Sequence, residues 1–221
     1  MSTTDEGAAE VVEALERTKQ AGAAFCTFEW RLSRPGDGRS RRGGLLPWLG
    51  RRLAAKLGQA RQGYGVVDIG AARAAIDFGH FAIVVQAGQE WSGRSGRSLA
   101  SLRPGRSGRL QPLWLFDLMS GVTEARPVGV EEAGGRACRR LAARADAVVA
   151  ATHTDFALPS KTRLAELRAV PFEVWIDADG VIRRARSPDT FGMTLELKEF
   201  GVATPEWTAL PTFRSDSIAE S

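Results

Sequence analysis

Residues 24–32, AFCTFEWRL, alternate along the chain: Cys26, Phe28, Trp30 and Leu32 fall on one side, Thr27, Glu29 and Arg31 on the other. A period of two predicts a half-buried strand. Ahead of it, Ala8, Val11, Val12 and Leu15 form a narrow stripe at helical spacing, and Thr3 and Glu6 have the spacing of a capping box. Residues 4–21 therefore read as a helix that Gly22 ends. After a loop of Pro, Gly, Ser and Arg over 33–44, Leu45, Leu49, Leu53 and Leu57 recur every fourth residue, with Pro47 suited to a first turn and Gly58 to a C-cap. That stretch predicts a short helix inserted between strands. GYGVVDIG, RAAIDFG and HFAIVVQAGQEW follow as three strand-like runs between glycines, the spacing of an antiparallel meander.

Further along, residues 92–110 form a Gly/Ser/Arg loop and QPLWLFDLMSG a short apolar helix. VTEARPVGVEEAGG and RACRRLAARADAVVAA read as two more strands, although the Ala and Arg content of the second also suits a helix. PSKTRLAELRA is a predicted helix; FEVWID, VIRRARS and FGMTLELKEFG are the closing strands. Many antiparallel strands, few helices and no repeated βαβ unit define an α+β domain. It spans residues 1–203, carries the helical insertion at 44–58, and leaves 204–221 as a C-terminal tail whose last eight residues are expected to be disordered.

Charge adds one feature to this pattern. Residues 38–67 hold seven basic residues and no acid, and residues 91–116 hold five arginines and no acid. These segments carry +12 in a chain whose net charge is +4, so the remainder is −8. Basic segments on an acidic body fit either an anionic partner or solvated Arg-rich loops. In the helix at 45–58, Leu46, Trp48, Leu49 and Leu53 with Arg51, Arg52 and Lys56 suit contact with an anionic membrane surface, or a lid over the end of the fold. Nucleic-acid readout has weaker support, because no aromatic-basic interleaving and no helix-turn-helix is present.

Catalytic signatures are weak or missing. His80 and His153 stand alone, the GRSGRS loop is neither a nucleophile elbow nor a P-loop, and Cys26 and Cys138 have no metal-binding spacing. The two cysteines read as buried free thiols more readily than as a disulfide. Asp177-Ala178-Asp179-Gly180 could suggest calcium, but counting from Asp177 the twelfth position is Pro188 rather than Glu. Strand-like runs flank these four residues, which makes them the turn of a hairpin. No metal, cofactor or catalytic residue is expected, and the chain is read as a non-enzyme.

Several segments together resemble a known family. GYGVVDIGAARAAIDF, QPLWLFDLMSGVTEARPVGVEEAGGRACRRLAARAD, and VPFEVWIDADGVIRRA with TLELKEFGV look like the strand pairs and closing hairpin of actinobacterial LppX/LprAFG-type proteins of the LolA-like superfamily. The resemblance covers roughly residues 5–203 and no single motif in it is diagnostic. It implies a strongly curved antiparallel half-barrel closed by helices, with an apolar cavity for acyl chains on the concave side and no catalytic residues. Phe28, Trp30, Phe78, Ile83, Val85, Trp114 and Leu118 are the candidates to line such a cavity, or else to fill the core. The resulting expectation is a non-enzymatic binding protein for a lipid or other apolar ligand. Its rival is a regulatory or protein-interaction module on the same fold with a filled cavity. Family members are exported and lipid-anchored; the first residues here show no signal peptide or lipobox, so the expected location is cytoplasmic with a peripheral membrane contact.

Overall fold

The computed structural model describes residues 3–30, 61–106, 113–153, 167–187, 192–204 and 206–212. Helix α1 is Thr3–Gln20, followed by strands β1 Ala24–Trp30, β2 Arg61–Asp68, β3 Arg73–Asp77, β4 Ala82–Gln86, β5 Gln89–Gly93 and β6 Gly105–Arg106. Helix α2 is Trp114–Met119; then come β7 Val122–Ala133, β8 Arg136–Ala145, helix α3 Ala147–His153, β9 Val170–Asp177, β10 Ile182–Ser187 and β11 Met193–Phe200. All eleven strands join one sheet in the order β6-β5-β4-β3-β2-β1-β11-β10-β9-β8-β7. Every neighbouring pair is antiparallel. Two meanders, β1–β6 and β7–β11, are thus sewn together by one long-range pairing, β1 against β11, with Phe28 opposite Leu195. The sheet is curved and open, with β6 and β7 at its edges, and the α+β class read from the sequence holds.

Alternation decides which side chains meet the helices. Cys26 and Phe28 on β1, Ile76 on β3, Ile83 and Val85 on β4, and Phe172, Val174 and Ile176 on β9 share one continuous buried cluster with Val11, Ala14 and Leu15 of α1 and Trp114, Leu115 and Leu118 of α2. This is the inner face of the half-barrel. On the outer face Ala75, Ala82 and Val84 are covered separately by Leu99 and Leu210. A third small cluster, Ala133, Cys138 and Trp175, lies where the tip of the β7–β8 hairpin folds over the outer face.

Helix α1 presents Gly7, Val11, Ala14, Leu15 and Thr18 to the sheet. Val12, expected in that stripe, is 41% exposed, because it lies about 100° around the helix from Val11. Gly7 permits the close approach: a Cβ there would stand 2.2 Å from the Ala125 carbonyl oxygen of β7. At the other end the buried Thr18 hydroxyl donates to the Ala14 carbonyl at 2.6 Å and accepts the Ile182 N–H at 2.9 Å. Thr18→Val keeps the shape and strands that buried N–H, so unfolding stability is expected to drop by about 1–3 kcal/mol. Urea denaturation followed by circular dichroism measures it, and an unchanged midpoint would show that Ile182 finds another acceptor.

Four expectations need correcting or fall elsewhere. HFAIVVQAGQEW is a hairpin rather than one strand: Ala87 and Gly88, at φ 51° and 70°, make the two-residue turn between β4 and β5. Ala-Gly lacks the Asn-Gly or Asp-Gly signature of such turns, which is why the run looked continuous. RACRRLAARADAVVAA divides at Asp146, whose carboxylate accepts the Val148 and Val149 N–H groups at 2.8 and 3.2 Å and caps α3. Within the expected tail, residues 206–212 are docked, with Leu210 buried and Trp207 bonded through its backbone N–H and C=O to the Gln86 amide. The basic helix at 44–58, with Leu46, Trp48, Leu49, Arg51, Arg52, Leu53 and Lys56, lies outside the described residues, as do 159–166 of the helix expected there and the last eight residues.

Candidate functional site

The DADG sequence forms the β9–β10 turn. Asp177 accepts the Asp179 and Val181 N–H groups, both at 3.0 Å, and Gly180 takes φ 75° to close the turn. Its other carboxylate oxygen accepts Arg183 Nε at 2.6 Å, and both side chains are buried. Burial by itself pushes the Asp177 carboxyl up, but the Val181 N–H and the Arg183 guanidinium outweigh it and hold the group below the ordinary carboxylate value. Both carboxylate oxygens of Asp177 are therefore engaged by the fold. Asp179 is exposed and pairs with Arg136 at 2.9 Å. Among the described residues no three His, Cys, Asp or Glu side chains converge on a metal-holding arrangement.

The structure places five of the seven candidate cavity residues, Phe28, Ile83, Val85, Trp114 and Leu118, in the inner cluster at 0–5% exposure. Phe78 packs against that cluster partly buried, edge-on to Phe28 at a centroid distance of 6.1 Å. The backbone of Trp30 pairs with Arg61 and Met193; its side chain lies outside the described residues. Cys26 and Cys138 are both buried free thiols on opposite faces of the sheet. Burial pushes Cys26 up to about 12, so it stays a thiol at physiological pH. His80 is exposed in the β3–β4 turn.

Two clefts stand out among the described residues. The first, about 480 Å³, lies between α1 and the inner face at the turn end of β8 and β9. Its apolar wall is Ala14, Val130, Ala137, Ile176 and Ala178, and its rim is Glu10, Glu13, Arg17 and Arg139. Glu10 pairs with Arg139 across the rim, Arg17 pairs with Glu13 at 2.5 Å, and Arg17 also reaches the Asp179 carbonyl at 3.3 Å. Val130 is 73% exposed, the most exposed large apolar side chain among the described residues, and it stands at this mouth. The cleft thus has an apolar floor under a ring of paired charges.

The second cleft, about 460 Å³, crosses the outer face over β1, β11, β10, β9 and the β7–β8 hairpin. Trp175 is its buried centre: the Arg140 and Arg184 guanidiniums each lie 5.3 Å from its ring centroid, and its indole N–H donates to Glu131 at 3.1 Å. Arg140 also binds Glu131 and Glu173, and Arg184 binds Glu196 at 2.5 Å. The hydrogen bond from Arg140, then that from Trp175, lowers the Glu131 carboxyl below its ordinary value. Cations and carboxylates here pair through the guanidinium NH2 groups, while the buried Arg140 Nε has no hydrogen-bond partner among the described residues, so the groove is a charge-paired brace holding the β7–β8 hairpin to the sheet.

Of the residues lining the first cleft, sequence reasoning singled out Cys138 as a buried thiol and Asp177, Ala178 and Gly180 as a turn, but not as parts of one site. They come from α1, β7, β8 and the β9–β10 turn, and no local motif joins them. The one available signal was the alternation of Ala137, Arg139 and Leu141 on β8, which puts a short, uncharged position at the mouth. No helix among the described residues is long and apolar enough to cross a membrane.

No family model and no curated protein matches the sequence. Solved structures do. The lipoprotein LppX of Mycobacterium tuberculosis superposes with a TM-score of 0.53 at 18% identity, covering 91% of this chain and 98% of that one. LprF of Mycobacterium bovis gives a TM-score of 0.49 at 14% identity, covering 95% of this chain and 97% of LprF. Nearly the whole of this chain and of LppX takes part in the superposition, so the open eleven-stranded sheet and the helices against it have the fold of LppX.

Proposed function

We propose that the protein is a non-enzymatic binding protein for a lipid or similar apolar chain, which enters between α1 and the inner face of the sheet. The observation that carries this is the first cleft. Its volume falls within the roughly 300–1,000 Å³ of small-molecule sites, its floor is apolar, and it leads toward the largest apolar cluster of the fold. The paired rim charges suit a polar headgroup left at the surface while the tail goes inward. The carboxylates of the cleft are bound to arginines or to the turn, and the Cys138 thiol on its wall is buried, which pushes its pKa up and keeps it protonated.

Titration with a fluorescent fatty acid tests the reading, and saturable uptake is the expected result. Ala137 is exposed at the mouth, so Ala137→Trp is tolerated by the fold and is expected to weaken uptake at least about tenfold, the effect of roughly 1.4 kcal/mol, with an unchanged melting temperature. Absence of uptake by the unaltered protein would sink it. That outcome would favour the filled half-barrel as a protein-interaction module, for which the close packing of Phe28, Ile83, Val85, Trp114 and Leu118 is the supporting observation.

A further inference from the structure

At one end of the sheet the connection between β5 and β6 concentrates basic charge. Along α1 and β8–β10 the arginines are neutralised by carboxylates, from Arg17 with Glu13 to Arg186 with Glu173. In the connection between β5 and β6, Arg94, Arg97 and Arg103 are exposed, and none of them forms an ion pair among the described residues. The sequence supplies no acid anywhere from 91 to 116. Asp77, held against this connection by Ser95, is buried and accepts the Ser95 hydroxyl at 2.7 Å and the Gly79 N–H at 2.8 Å.

This connection is anchored on both flanks. Ser95 ties it to the β3–β4 turn, also donating to the Gly79 carbonyl at 3.1 Å. On the other side the docked C-terminal segment holds it through Gly96 N–H to Leu210 O at 2.9 Å and Leu210 N–H to Arg97 O at 2.8 Å. The cations are therefore displayed from a fixed backbone. Partly buried apolar groups adjoin them. Ala82 pairs with Gly93, which sets Phe81 beside Arg94; Trp91 lies two residues along β5, and Leu102 packs against Gly93.

We infer that this end of the sheet is a contact surface for an anionic lipid bilayer, independent of whether the inner cleft takes a ligand. Cations that form no ion pair among the described residues are drawn to the negative surface potential, while neighbouring aromatic and aliphatic edges suit the headgroup boundary. Nucleic acid fits less well. Single-strand binding uses aromatic faces open for base stacking, whereas Trp91 and Trp207 pack into the outer cluster.

Co-sedimentation of the full chain with phosphatidylglycerol/phosphatidylcholine vesicles tests the inference. Binding is expected to the mixed vesicles, to be absent with pure phosphatidylcholine, and to fall as sodium chloride rises. R94Q/R97Q/R103Q is expected to lower partitioning about 100-fold, roughly fivefold per arginine. R94K/R97K/R103K keeps the charge and is expected to bind like the unaltered chain, which separates charge from any loss of folding. R126Q/R168Q, exposed arginines toward the β7 edge, is expected to change binding about twofold or less. The inference is overturned if the glutamine triple variant binds like the unaltered protein, if pure phosphatidylcholine is bound equally, or if neither vesicle is bound while duplex DNA is retained.

Discussion

Asp177→Ala is expected to lower the stability of the fold by about 3–5 kcal/mol, because it leaves the buried Arg183 guanidinium without its counter-charge. Removing one partner of a buried pair is costlier than never having had the pair, since a desolvated cation remains. Arg183 would keep only its position 4.8 Å from the Phe200 ring centroid. The Asp179 and Val181 N–H groups would lose their acceptor as well, so the turn itself would loosen. Urea denaturation at neutral pH measures the loss, and a midpoint within error of the unaltered protein would show that water reaches Arg183. The pH dependence has a definite sign. The folded-state carboxyl lies below its ordinary value of about 3.9, so its contribution is present above that pH and is lost as pH falls through the folded-state value. The stability gap between the unaltered protein and Asp177→Ala is therefore expected to be full at neutral pH and to narrow in acid below about pH 4.

Phe28→Ala is expected to cost about 3–5 kcal/mol by opening a cavity in a packed cluster. Phe28 is 1% exposed, stands opposite Leu195 across the β1–β11 seam, and meets Phe78 edge-on. A side chain that merely lined an open cavity would leave less behind when truncated, because the space beyond it is already vacant. A measured loss under about 1.5 kcal/mol, well below the range for a packed aromatic, would therefore identify Phe28 as cavity wall. A loss in the expected range makes it core filler, with ligand access confined to the cleft beside α1. Partial recovery of stability by a small apolar solute would locate the new void.

The turn at Asp177 was legible because both its signals are local: Asp bonds its own backbone, and Gly180 accepts a positive φ. Strand β1 was legible for a similar reason, as Cys26 and Phe28 do face the core while Thr27 and Glu29 do not. The split of 80–91 into two strands was not, since Ala87 adopts a left-handed conformation that its side chain does not announce. Val12 and Val11 are equally apolar, and only the direction from which β7 approaches α1 buries one and exposes the other.

The order of strands, the alternating faces and the hairpin chemistry are properties of neighbouring residues, and the sequence by itself determined them along most of the described chain. The β1–β11 seam, the Gly7–Ala125 contact and the cleft at Ala14, Ala137 and Ile176 join residues from opposite ends of the chain. No periodicity encodes such meetings, because they follow from how a twisted, curved sheet brings its far strands under one helix. The anchoring of the C-terminal segment likewise fixes the backbone that carries Arg94 and Arg97, which form no ion pair among the described residues.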